Sequence, residues 1–203
     1  LNKILAVEVD FVWHKESSLN NYDGILLPGG FSYGDYLRTG AIAKYSPIMK
    51  EVMKHSDKGV PVIGICNGFQ ILIEAGMLPG ALIKNKNTKF ISKMIVLDVI
   101  TNDSIFTRNL VNGESISMPI AHGEGNYQAS KNTLKELQDN DCIAFKYSRN
   151  KLNNYNLNGS INDIAGILNK RKNVLGMMPH PERACEEILG SKQGMSIFQS
   201  MIG

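Results

Sequence analysis

A cysteine acts as a nucleophile only where its thiolate is favoured and its sulfur can be reached. One of the three cysteines in this sequence lies in a pattern that meets both conditions. Cys66 falls in Gly64-Ile65-Cys66-Asn67-Gly68, directly after the apolar run 61–65 and before a helix-like segment. This G-x-C-x-G spacing is the thiol counterpart of the G-x-S-x-G elbow, a tight strand-to-helix turn that strains the nucleophile's backbone. Flanking glycines let neighbouring chain approach without a Cβ clash. A helix N-terminus behind the sulfur favours thiolate. The N–H of Asn67 points where an oxyanion would develop. A lone cysteine ending a buried strand is otherwise a core residue; the two glycines in register shift the reading to catalysis.

The thiol needs a base, and the sequence offers four histidines: His14, His55, His122 and His180. His14, at a strand end beside Lys15 and Glu16, reads as a surface residue. His55 closes a helix before Gly59, a place the helix dipole favours for histidine. His122 and His180 follow strand-like runs, and the carboxyl edge of an open α/β sheet is where ligand sites gather. His180 sits in Met178-Pro179-His180-Pro181-Glu182. Its flanking prolines hold the chain extended, so His180 and Glu182, two apart, share one side. Glu182 can then orient the imidazole as the acid of a triad does. A capped helix start with Pro181 at its first position is a second, compatible reading.

The elements that must position these groups are read from periodicity. Residues 7–13 alternate apolar with Glu8 and Asp10, as a half-buried strand does. Residues 24–30 read as a fully buried strand running into a glycine turn. Residues 40–54 have helical spacing with Ile42, Tyr45, Ile48, Met49 and Val52 on one face, and Pro47 predicts a kink or break. Residues 61–65 form a second buried strand and 67–75 a helix stopped by Gly76. Alternating strands and helices predict an α/β domain with a mostly parallel sheet. Farther on, residues 94–100, 115–120, 142–147, 164–168 and 174–178 read as strands with few helices between, so some are antiparallel additions. The Asn-rich stretch 150–158 reads as a surface loop, and residues 1–203 as one domain.

Composition narrows the class. A net charge of +3 over 203 residues gives no concentrated basic face, against nucleic acid as partner. Lys170, Arg171 and Lys172 read as a solvated turn. No apolar run reaches the ~18 residues of a membrane span. Three cysteines without a CxxC pair suggest neither metal site nor disulfide framework, and a cytoplasmic compartment is expected.

Four blocks of the sequence resemble the glutaminase subunits of phosphoribosylformylglycinamidine synthases, within the class I glutamine amidotransferases. They are Pro28-Gly29-Gly30-Phe31-Ser32-Tyr33-Gly34-Asp35-Tyr36-Leu37-Arg38, Gly64 through Gln70, Ala121-His122-Gly123-Glu124-Gly125, and Met178 through Arg183. The resemblance implies a flavodoxin-like open sheet with helices on both faces and a Cys66–His180–Glu182 triad. It implies oxyanion donors at Gly30 and Asn67, and glutamine-binding residues Phe31, Gln70, His122, Gly123 and Glu124. It also implies a further strand and much of a helix ahead of the segment at Val7, which this sequence lacks, and often a cysteine where this chain has Thr39. The loop from Phe31 to Arg38, with Tyr33, Tyr36 and Arg38, is a contact for a partner or a cover over the pocket. By the same resemblance, ammonia passes to a large synthetase subunit, with a small third subunit bridging the two. No cofactor is expected on this chain, which lacks a GxxxxGK[ST] loop, so ATP and magnesium are expected on the synthetase. A cysteine peptidase or γ-glutamyl hydrolase on the same fold, and a non-catalytic subunit gating ammonia, are the competing readings.

Overall fold

The computed structural model describes residues 1–33, 38–149 and 155–203. Every residue of Val62–Ile65 (β2) is buried, and because successive side chains face opposite sides, both faces of the sheet are covered there. The same holds for Val174–Met177 (β9), its parallel neighbour. Ile25–Leu27 (β1) pairs with β2 on the other side, also parallel, with Leu26 opposite Ile63. This block of three parallel strands carries the site. Asn67–Glu74 (α3) follows β2 after a single residue and packs on all three strands.

The sheet continues from β9 through Ile164–Leu168 (β8), Ile143–Tyr147 (β7), Ile91–Val99 (β4) and Ser115–His122 (β5), all antiparallel. Its order is β1-β2-β9-β8-β7-β4-β5. The fold is the open α/β sheet expected. Parallel pairing is confined to the β1-β2-β9 block, and the antiparallel additions supply the remaining ladders. Fewer helices in the second half have this consequence, since a parallel return needs a long crossover and an antiparallel one does not. Ala81–Ile83 (β3) and Asn126–Gln128 (β6) form a separate small antiparallel sheet. The core between the layers holds Phe69, Phe106, Phe145, Tyr127 and Tyr147, with Phe69 stacked on Tyr127 at 6.2 Å between centroids.

Several expectations are corrected. Residues 7–13 form no strand: alternation is present, but no ladder is offered to them, and Phe11 and Trp13 stand exposed. The short helix Asn2–Leu5 (α1) precedes them. β1 is half-buried along its length because it is the edge of the sheet, not an interior strand. The break expected at Pro47 occurs: a 3-10 turn Ala43–Tyr45 ends at Ser46, and Pro47 opens the helix Pro47–Asp57 (α2) at its first turn. Tyr45 therefore leaves the apolar face and is 78% exposed. The Asn-rich stretch is partly interior. Residues 150–154 lie outside the described residues, but Asn158 is fully buried and Asn156 half-buried. Two helices carry no strong sequence signal. Lys131–Asp139 (α4) is a polar surface helix whose Ser130 caps the N–H of Thr133 at 3.1 Å, and Met195–Ile202 (α5) closes the chain. Among the described residues no helix is long and apolar enough to cross a membrane.

Candidate active site

The chain leaves β2 through Cys66, whose φ of 51° and ψ of −103° lie where residues with a side chain are rarely found. The position is pinned from both sides. Cys66 N–H donates to Met177 O at 2.8 Å, and Cys66 O accepts the first helical bond from Gln70 N–H at 3.1 Å. Gly68 makes the turn possible, because a Cβ there would meet Leu27 O at 2.1 Å. Backbone of β1 thus lies directly on the first turn of α3. Beyond β1 the chain passes over the sulfur. A Cβ on Gly29 would be 2.8 Å from His180 Cε1 and 3.5 Å from Cys66 Cβ, so Gly29, Cys66 and His180 close on one point. Gly30 follows at φ 138°, open on the side where a Cβ would stand.

His180 reaches this point from the end of β9. Its N–H donates to Pro119 O on β5 at 2.8 Å, its ring is buried, and Nδ1 lies 2.6 Å from Glu182 Oε1. A carboxylate at that distance accepts a hydrogen bond from Nδ1–H and so keeps that proton on Nδ1, leaving Nε2 as the atom that gains or gives a proton. Both readings of the Pro-His-Pro-Glu run hold. His180 is extended at φ −103° and ψ 89°, and Pro181 opens a 3-10 turn Pro181–Arg183 that swings Glu182 back to the ring. The Cys66 sulfur stands 3.6 Å from Ala121 O, which brings β5 to the nucleophile.

A chain of side-chain hydrogen bonds frames the floor. Ser32 Oγ donates to Asn67 Oδ1 at 2.9 Å, Asn67 Nδ2 to Gln70 Oε1 at 3.0 Å, and Gln70 Nε2 to Glu124 O at 2.7 Å. Thr39 Oγ1 donates to Glu124 Oε2 at 2.8 Å, which ties the segment after the 31–38 loop to the turn at 123–125. Gln70 is buried, and its amide is engaged with Asn67 and Glu124. Asn67 is the first residue of α3, where N–H groups lack intrahelical acceptors.

His122 and its neighbours are braced by Asn85, a residue the sequence did not single out. Asn85 Nδ2 donates to Lys89 O and His122 O, both at 2.8 Å; its Oδ1 accepts Gly125 N–H at 3.0 Å and lies 3.0 Å from His122 Nδ1. Asn85 opens a Lys- and Asn-rich stretch that reads as solvated, and nothing local reveals its 1% exposure. Burial first, and the nearby His180 second, push the His122 imidazole down to about 4.

Of the remaining histidines, only the surface reading of His14 is corrected. His55 does stand in the last turn of α2, where the dipole favours it, and it is also buried, with Nδ1 2.8 Å from Glu51 O and Nε2 3.2 Å from Asn20 O. His14 is half-buried and meets Ser46 Oγ at 3.2 Å and the Tyr33 hydroxyl at 3.0 Å. Of the loop residues, Phe31 is 78% exposed. Tyr33 is also bonded to Ser46, Arg38 is paired with Glu74 at 2.8 Å, and Tyr36 lies outside the described residues. Gly123 packs beside the exposed Phe90. Among the described residues no group of His, Cys, Asp or Glu is arranged to hold a metal ion.

The sequence model of the CobB/CobQ-like glutamine amidotransferase domain matches residues 3–201. Among solved structures, PurLQS from Thermotoga maritima is 46% identical, covers 91% of this chain and 80% of its own, and superposes with a TM-score of 0.80. The glutaminase domain of Trypanosoma brucei CTPS, solved with bound acivicin, shares the fold at 14% identity. That match covers 99% of this chain and 83% of the other, with a TM-score of 0.62.

Proposed function

The chain belongs to the CobB/CobQ-like glutamine amidotransferase domain family, and from that membership we propose that it is the glutaminase subunit of a phosphoribosylformylglycinamidine synthase. The observation that carries the chemistry is the meeting of Cys66, at its strained elbow, with a His180 ring held by Glu182 at 2.6 Å under Gly29. The likeness to PurLQS at 46% identity supports the choice of synthase.

In this reading the Cys66 thiolate attacks the side-chain amide carbon of glutamine, and a sulfur–carbon bond forms as the oxygen becomes an oxyanion. The N–H groups of Gly30 and Asn67 hold that oxyanion, each worth about 3 kcal/mol in barrier height. Protonated His180 gives its Nε2 proton to the amide nitrogen, the carbon–nitrogen bond breaks, and ammonia leaves. A γ-glutamyl thioester remains on Cys66. His180 then takes a proton from water, which attacks the thioester and releases glutamate and the thiol. Gln70, Glu124 and the backbone at 122–124 shape the pocket, and exposed Phe31 leaves aromatic surface beside it. The ammonia passes to a synthetase subunit, which carries ATP and magnesium and converts formylglycinamide ribonucleotide to its amidine; a small third subunit joins the two.

The test is glutamate release from glutamine, with and without the synthetase, ATP and formylglycinamide ribonucleotide. Turnover should rise when they are added and vanish in Cys66→Ala. Normal glutaminase activity in Cys66→Ala would remove the assignment.

A further inference from the structure

The segment that crosses the Cys66 sulfur after β1 bears the Gly30 donor, and Gly30 cannot anchor itself: nothing lies within 4 Å of where its Cβ would stand. Its peptide is aimed by the residues that follow. Ser32 Oγ ties the segment to Asn67 on α3 at 2.9 Å. Tyr33 ties it to a second place. The Tyr33 hydroxyl lies 3.0 Å from His14 Nδ1 and 3.1 Å from Ser46 Oγ, which are themselves 3.2 Å apart, so three polar side-chain atoms close a triangle. The rings meet edge to face, His14 against Tyr33 at 5.6 Å between centroids and against Trp13 at 4.5 Å.

Both partners of Tyr33 belong to a fixed part of the chain. Ser46 directly precedes α2, whose Ile48, Met49 and Val52 are buried, and Ile48 N–H donates to His14 O at 3.4 Å. The Ser46 side chain makes no capping bond to α2, which leaves its hydroxyl to Tyr33 and His14. Tyr33 itself has a φ of 55°, in the left-handed region that residues with a side chain seldom occupy. Such a conformation persists only where the surroundings hold it. Without the bonds of its hydroxyl, the backbone at Tyr33 would relax and carry segment 29–33 with it.

Resting on the glutaminase reading, we propose that Tyr33 is a positioning residue: its hydroxyl, latched to His14 and Ser46, holds segment 29–33 over Cys66 so that the Gly30 N–H meets the developing oxyanion. Tyr33 takes no part in bond making and acts through Gly30. An oxyanion donor stabilises the transition state only when its N–H is already aimed, so the latch bears on rate and not on glutamine affinity. Residues 7–13, which form no strand, thereby have a task, which is to carry His14 to the loop.

The experiment separates the oxyanion from the thiolate. Iodoacetamide alkylates Cys66 by displacing iodide from a saturated carbon and builds no oxyanion, whereas glutamine must build one. Both reactions are measured in the complex with its synthetase, alkylation at Cys66 by peptide mass spectrometry. In Tyr33→Phe, kcat falls about tenfold, less than the roughly hundredfold of a displacement of about 1 Å, because Ser32 keeps its bond to Asn67. KM for glutamine stays within about twofold, the mark of an interaction made in the transition state alone. The alkylation rate of Cys66 is unchanged. His14→Phe, which keeps a ring against Tyr33 and loses Nδ1, gives a similar fall, and the double variant falls no further, because both act through one triangle. If either variant does not fold, Ser46→Ala takes its place, since it removes the third corner and no helix cap. A wild-type kcat in Tyr33→Phe, an equal loss of turnover and alkylation, or an additive double variant overturns the latch and leaves the glutaminase standing. A wild-type chain that releases no glutamate overturns the glutaminase reading and this inference with it.

Discussion

Cys66 occupies a conformation that its own side chain disfavours, at a cost on the order of 1–3 kcal/mol, and its neighbours sustain it. The helix bond from Gln70 and the strand bond to Met177 fix the two ends of the turn. Gly68 fixes its depth, since Leu27 O stands 2.1 Å from where a Cβ would be. Neither backbone segment can yield alone: β1 is paired with β2, and α3 is packed on β1, β2 and β9. Gly68→Ala must therefore move one against the other. We expect a loss of about 2–3 kcal/mol in urea unfolding, the scale of overpacking. The fall in kcat, measured where the variant is fully folded, should be nearer a hundredfold, because a displacement of about 1 Å at a reacting group has that effect. A wild-type unfolding midpoint together with full activity would show that the turn relaxes freely and that Leu27 O does not set its depth.

The block at residues 121–126 lies where β5 gives way to β6, and side chains from distant segments hold its turn. Asn158 Nδ2 donates to Gly125 O at 2.7 Å and to the Tyr147 hydroxyl at 2.9 Å; Ser160 Oγ adds a bond to Gly125 O at 3.2 Å. Asn158 Oδ1 also accepts Ser160 N–H at 3.2 Å, so Asn158→Ala removes three side-chain bonds from a fully buried residue and strands part of their partners. A loss of about 2 kcal/mol is expected, with KM for glutamine raised more than kcat is lowered, read from thermal unfolding and steady-state kinetics. An unchanged KM would mean that the turn is held without Asn158. This brace also marks what sequence can and cannot reveal. The elbow was legible because its signal is local: five residues specify strand, turn and helix. The Pro-His-Pro-Glu run was legible for the same reason. Asn158 and Asn85 were not, because a polar residue in an Asn-rich stretch reads as solvated until a partner dozens of residues away is seen to meet it. Residues 7–13 show the converse. Their alternation is real, but a strand also needs a neighbour to pair with, and periodicity carries no word of one.

At the scale of the whole molecule, two buried titratable groups couple the fold to acidity. His122 is pushed down to about 4, by burial first and by His180 second. The Asp163 carboxyl is also held below its ordinary value: burial would raise it, but hydrogen bonds from Tyr155, Arg149 and Asn156 outweigh that. For His122 the unfolded ring takes a proton as pH falls through about 6.5, whereas the folded ring resists until about 4. Between those values the unfolded state binds more protons, so stability is complete above the window and declines as pH drops. The decline from this one group amounts to about 3 kcal/mol. Asp163 acts in the same sense in a lower window, losing its contribution as pH falls through the carboxylate range. Urea midpoints measured from pH 7 down to pH 4 should therefore slope downward in the wild-type chain. His122→Leu, which has no ring to protonate, should be flat over most of that span and begin to fall only where Asp163 titrates. General repulsion among positive charges would give both proteins the same slope, and that outcome would relieve His122 of its part in acid sensitivity.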